Sequence, residues 1–149
     1  MNFDPELDPA QVQIGYFLPH PPDAVWGALT EPTLLTEWLM RPIGFATLVG
    51  THFIFEIPTD PPGEIASEVL LARPGEQLTL TWVDLRAERP ARWVLDWSLV
   101  PHGRGTRLLL THGGFDIGHP RQKMARNAME RGWRSALRKL REMLDRHKE

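Results

Sequence analysis

The last forty residues constrain the fold most. An apolar run from Thr106 to Thr111 leads into His112-Gly113-Gly114-Phe115, and a long helical pattern follows from about Pro120 to Arg146. In that pattern Ala125, Met129, Trp133, Ala136, Leu137, Leu140 and Leu144 recur every three or four residues, which predicts a helix with one apolar stripe. Such a helix must bury its stripe against another layer.

The other layer is written between residues 45 and 115 as short apolar runs. Phe45–Val49, Thr51–Ile57, Glu64–Arg73, Gln77–Arg86, Ala91–Val100 and Thr106–Thr111 are the expected strands. Between them, Thr59-Asp60-Pro61-Pro62-Gly63, Arg73-Pro74-Gly75, Glu88-Arg89-Pro90 and Pro101-His102-Gly103-Arg104-Gly105 carry the residues that reverse a hairpin. An antiparallel meander follows. Upstream, Val12, Ile14, Tyr16 and Leu18 alternate as in a strand, and Pro21-Pro22-Asp23 opens a short helix. A second short helix is expected from about Glu31, carrying Leu34, Leu35, Trp38 and Leu39 and closed by Pro42 and Gly44. The predicted class is α+β, in the order β-α-α-β6-α, with the long helix roofing one face of the sheet.

Length and composition narrow the function. At 149 residues the chain suits one domain, residues 1–149, with residues 1–10 expected to be a flexible N-terminus. Without cysteine there is no disulfide framework, thiolate nucleophile or cysteine-based zinc site. No apolar stretch is long enough to span a bilayer and the acidic start does not resemble a secretory signal, so a cytoplasmic protein without a membrane partner is expected. Charge is uneven: residues 120–149 hold ten Lys/Arg against four Asp/Glu, while residues 1–119 hold seven against fifteen. The ordinary reading is a solvated helix whose basic stems lie over packed surface, with an acidic protein partner as its rival. Nucleic acid is not expected, because no recognition motif accompanies the charge.

Common catalytic devices are missing. The glycine pairs at Gly103 and Gly113 lack the spacing of a phosphate loop, and none of Ser67, Ser98 and Ser135 sits in a nucleophile elbow. His52 and Glu56 share one strand face, but about 13 Å of strand separates their backbones, too far for one metal ion. No metal and no cofactor is expected.

The candidate binding residues are aromatic or titratable. Six tryptophans is a high count. Trp26, Trp82, Trp93, Trp97 and Trp133 could be core packing or the wall of a pocket, while Trp38 is expected at its mouth, as a gate. His112 shares a strand face with Leu108 and Leu110, and so either contacts a ligand or ties the strand to the long helix. Asp84 and Arg86 lie on the Trp82 face and either pair or orient a polar head group. Met129 can adapt the wall, and His52 and Glu56 can line a rim. Gly132, beside Trp133, is expected to let the helix settle close to the sheet.

Several segments resemble one family. Pro22-Asp-Ala-Val-Trp-Gly-Ala-Leu-Thr-Glu-Pro32, Leu35-Thr-Glu-Trp38, Glu76-Gln-Leu-Thr-Leu-Thr-Trp82, Thr106-Arg-Leu-Leu-Leu-Thr-His-Gly-Gly-Phe115 and Gly132-Trp-Arg-Ser-Ala-Leu137 resemble homologues of the activator of heat-shock-protein-90 ATPase, in its C-terminal-type domain. That resemblance implies the START-like helix-grip fold: a curved antiparallel sheet of six or seven strands, two short helices and a long C-terminal helix. It also implies a cavity between the long helix and the sheet that holds a small, mainly apolar or aromatic molecule. Trp38, His52, Glu56, Trp82, Asp84, Trp97, His112, Met129 and Trp133 are the expected ligand-binding set. Two alternatives remain: a cyclase, dehydratase or hydrolase using His112 as acid or base, and a chaperone-assisting or interaction module. Homodimers are common among small members of such a family.

Overall fold

A computed structural model describes residues 10–148. Apart from Ala10, the expectation for residues 1–10 lies outside them. The elements are β1 (Val12–Leu18), α1 (Pro22–Thr30), α2 (Pro32–Trp38), β2 (Arg41–Ile43), β3 (His52–Ile57), β4 (Gly63–Arg73), β5 (Gln77–Asp84), β6 (Trp93–His102), β7 (Gly105–Gly113) and α3 (Pro120–Arg146). The strands form one seven-stranded antiparallel sheet in the order β1-β7-β6-β5-β4-β3-β2. This is the helix-grip arrangement.

Local chemistry accounts for the helix starts. Each of α1, α2 and α3 has a proline in its first turn, where a missing N–H costs nothing, and Asp23 adds a favourable carboxylate to the first turn of α1. The two short helices meet at Glu31, whose N–H donates to Gly27 while its carbonyl accepts from Leu34 and Leu35. Strand alternation supplies the inner face: Phe53, Phe55 and Ile57 on β3, Leu78, Leu80 and Trp82 on β5, Trp93, Leu95 and Trp97 on β6, and Leu108, Leu110 and His112 on β7 are all buried.

One expected strand is absent. Residues 45–49 form no strand; instead the edge strand β2 runs over Arg41–Ile43, with Pro42 where a central strand would need its N–H. Gly44 and Gly50 adopt φ of +84° and +91°, turning the chain at both ends of the segment, and Leu48 and Val49 stand exposed between them.

The two halves of α3 differ. Its C-terminal half buries Trp133, Leu137, Leu140, Met143 and Leu144. That end is also pinned: His20 Nε2 lies 2.7 Å from Asp145 Oδ1, and His147 Nε2 lies 3.0 Å from Glu37 Oε2. Before Trp133 no residue of α3 is fully buried, because the inward positions are Gln122, Ala125, Arg126 and Met129. Short or polar side chains there cannot fill the space that Trp and Leu fill further on.

Candidate functional site

Under the middle of α3 the expected ligand residues meet one another. Trp133 lies edge-on to Trp97 at 5.3 Å and to Trp82 at 5.2 Å between ring centroids, and Phe55 packs beyond Trp82 at 5.6 Å. These rings fill the layer between helix and sheet, so Trp82, Trp97 and Trp133 serve as core there. Trp38 belongs to the same layer. It is 2% exposed, lies edge-on to Trp97, and donates its indole N–H to the Ala28 carbonyl at 2.9 Å. The expected gate is therefore a buried brace, fixed because an indole buried against another ring needs an acceptor for its N–H.

His112 sits at the seam of this layer and is completely buried. It stacks on Phe115 at 5.1 Å and meets Trp82, Trp93 and Trp133 at 5.8, 5.5 and 6.0 Å. Trp133 Nε1–H donates to His112 Nδ1 at 2.8 Å, so the strand and the roof helix are tied directly. Accepting at Nδ1 leaves the neutral imidazole with its proton on Nε2. Burial pushes the His112 pKa down to about 3, which keeps it neutral near pH 7. Among the described residues neither His112 Nε2 nor the buried Trp93 Nε1 has a hydrogen-bond partner.

His52 and Glu56 lie on the opposite face of the sheet. β3 turns Phe53, Phe55 and Ile57 inward, which places both polar residues outside; His52 is 4.0 Å from Glu68, and Glu56 is registered against Arg41 and Glu64. They line no inner rim. The wider sheet agrees: Asp96, also outward, accepts from Gln77, Thr79 and Ser98 at 2.9, 2.6 and 2.9 Å.

Open space appears at the other end of the helix. A cleft of about 680 Å³ lies between the first turns of α3 and the loop that joins β5 to β6. Trp93 contributes to its floor, Asp84 closes the strand side, and Ala87, Glu88, Arg89 and Ala91 come from the loop. His119, Arg121, Gln122 and Ala125 come from the helix. Asp84 is the one expected ligand residue on this lining. Its carboxylate is held by Arg86, with Nε at 3.0 Å from Oδ1 and Nη2 at 2.7 Å from Oδ2. Those hydrogen bonds, aided by the guanidinium charge, hold the carboxyl below its usual range against the effect of burial. Met129 is half-buried further along α3 and packs against the core.

Trp93 is one of the tryptophans expected as core or pocket wall but stands outside the expected ligand-binding set, and Arg89, Arg121 and Gln122 are not expected as ligand residues at all. The eight residues 85–92 are longer than a tight hairpin needs, and loops on a rigid sheet often carry binding groups. That length, and the change from Trp and Leu to Gln and Ala along the helix stripe, were the available signals. Gly132 also differs from expectation: a Cβ built there has nothing within 4 Å, so it faces open space and does not mediate a close approach to the sheet.

No curated protein matches the chain. Among solved structures, the protein MLL2253 from Mesorhizobium loti is 33% identical with a TM-score of 0.83, over 93% of this chain and 99% of that one. CalU16 from Micromonospora echinospora is 25% identical with a TM-score of 0.75, over 90% of this chain and 75% of its own. DynU16, a protein of the dynemicin biosynthetic locus, shares the fold at 20% identity and a TM-score of 0.78, over 91% and 47% of the two chains. Residues 19–145 match the family described as Activator of Hsp90 ATPase homolog 1-like protein. With every element after β1 inside that match but for the last residue of α3, the chain belongs to the Activator of Hsp90 ATPase homolog 1-like family.

Proposed function

We propose that the protein binds a small, mainly apolar molecule in the cleft between the N-terminal turns of α3 and the β5–β6 loop. The observation that carries this reading is a concave space of about 680 Å³ floored by Trp93, whose indole N–H has no partner among the described residues. That volume suits a molecule of drug size, and an aromatic floor with a few polar groups is how such sites hold their ligands. A buried N–H without an acceptor is costly, so a ligand acceptor reaching it would bind more tightly than the apolar contact alone allows. The place of DynU16 in a biosynthetic locus is in keeping with the handling of a small molecule.

His112 supports binding better than acid–base chemistry. With Nδ1 occupied by the Trp133 N–H, the ring presents a donor at Nε2 and no free base. Its role in this reading is to hold the floor from beneath, since it is completely buried and packs against Trp93.

The test is a calorimetric titration with 2-naphthamide, a neutral aromatic probe. Saturable binding is expected, and Ala125→Trp, which places a large ring in the cleft, should weaken it at least about tenfold while leaving the circular dichroism spectrum unchanged. Equal affinity for the wild type and the folded Ala125→Trp variant would reject the cleft as the site.

A further inference from the structure

The cleft is unevenly supplied with hydrogen-bonding groups. Two acidic side chains line it, Asp84 and Glu88, but Asp84 is already committed: Oδ1 accepts from the Arg86 backbone N–H and Nε, and Oδ2 from Nη2. Glu88 is the remaining carboxylate. Against it stand two guanidinium groups, Arg89 and Arg121, neither of which has a hydrogen-bond or ion-pair partner among the described residues. Arg86, on the same side of the cleft, is by contrast held by Asp84, so the unpaired positive charge that lines the cleft comes from Arg89 and Arg121.

Neutral donors add to the imbalance. Gln122 uses its carbonyl oxygen to accept the Asp116 N–H at 2.7 Å, which turns the function of its amide toward donation. The Trp93 indole N–H is buried and unpartnered, and Trp93 is 9% exposed. The first turn of α3 has no acidic residue and no side-chain cap, so the positive end of a 27-residue helix is uncompensated beside Arg121. At the rim the Arg89 and Arg121 guanidinium groups and the Gln122 amide, with the His119 ring beside them, outnumber the one uncommitted carboxylate, Glu88, and two of these donors are cationic, which selects an acceptor-rich negative group. Ala87, Ala91 and Ala125 leave room for an apolar body next to it.

We infer that the ligand of this cleft is an organic acid, an apolar body bearing a carboxylate, with Arg89 and Arg121 as its specificity-determining residues. This rests on the cleft-binding reading and deepens it. The carboxylate engages the two guanidinium groups at the rim, and the apolar body lies over Trp93. Both arginines are exposed, so replacing them leaves the core intact.

The experiment compares 2-naphthoate with its neutral isostere 2-naphthamide by calorimetry at low salt. The wild type is expected to bind the naphthoate about tenfold more tightly than the amide, with the ratio falling as salt is added. In the double variant Arg89→Gln/Arg121→Gln the ratio should fall to near one. In Arg138→Gln, an exposed position of α3 outside the cleft, it should stay at the wild-type value, which separates the two arginines from the general positive charge of the helix. Equal affinity for the two probes in the wild type, or a ratio unmoved by the double variant, overturns the acid inference while leaving apolar binding intact. Failure of both probes to bind removes the cleft reading and this inference with it.

Discussion

The contact between His112 and Trp133 is one bond with two consequences. Because the imidazole is completely buried, its Nδ1 lone pair and the indole N–H satisfy each other in a layer that offers no water. Trp133→Phe should therefore destabilise the protein by about 2 kcal/mol through the orphaned Nδ1 and the lost ring volume. In a His112→Phe background, where no acceptor remains, the same change should cost less; additive effects in a double-mutant cycle by urea denaturation would argue that the bond is energetically idle. The second consequence is acid sensitivity. A folded pKa of about 3 against 6.5 for the free group means that the unfolded chain binds the proton first. This contribution to stability is whole above pH 6.5 and is lost as pH falls toward 3, at about 1.4 kcal/mol per pH unit. His112→Gln should flatten that acid limb between pH 6 and 4. An unchanged slope would mean that the imidazole does not carry it. Strand alternation had already placed His112 on the inner face with Leu108 and Leu110, and a tie to the long helix was one of its two readings. Which ring nitrogen meets which partner depends on the crossing of α3 over β7, a tertiary fact with no local signature.

At the scale of elements, α3 is two helices in function. From Trp133 onward it is a roof, packed by Leu137, Leu140, Met143 and Leu144 and clamped through Asp145 and His147; before Trp133 it is a wall of the cleft. Gly132 falls at the junction but faces open space. Gly132→Ala should accordingly stabilise the helix by about 1 kcal/mol and raise Tm by about 3 °C, as a thermal melt would read; a lower Tm would restore the close-approach role. Most elements were legible because their periods are strong: the seven inward apolar residues of α3 and the alternating strands follow directly from side-chain direction. Phe45–Val49 was not, since an apolar run between two glycines in the left-handed region reads like a strand until the turns at its ends are known. Trp38 failed for a different reason. Its place near the end of α2 pointed to the mouth of the fold, but its direction is set by Trp97 and the Ala28 carbonyl, which come from other elements.

For the whole molecule, the distribution of filled and open space decides what the fold can do. The helix-grip architecture leaves a volume between roof and sheet, and this sequence fills the central part with Trp82, Trp97, Trp133 and His112. An opening lies instead at the start of α3, where the stripe changes to Gln122 and Ala125. Candidate residues chosen for aromatic or titratable character therefore fell mostly in the core, whereas short alanines, Arg89 of the loop and Arg121 of the helix shape the cleft. Small residues leave little mark in a sequence, since a gap is defined by what surrounds it. The central claim is that the cleft over Trp93 is the binding site. Its most direct measurement is the nuclear magnetic resonance signal of the Trp93 indole N–H, assigned through Trp93→Phe, during titration with 2-naphthamide. The account predicts a saturable shift of that signal together with the backbone amides of Ala91 and Ala125, and no comparable change in the Trp38 indole. Saturable binding that leaves the Trp93 signal and those amides unmoved would contradict it.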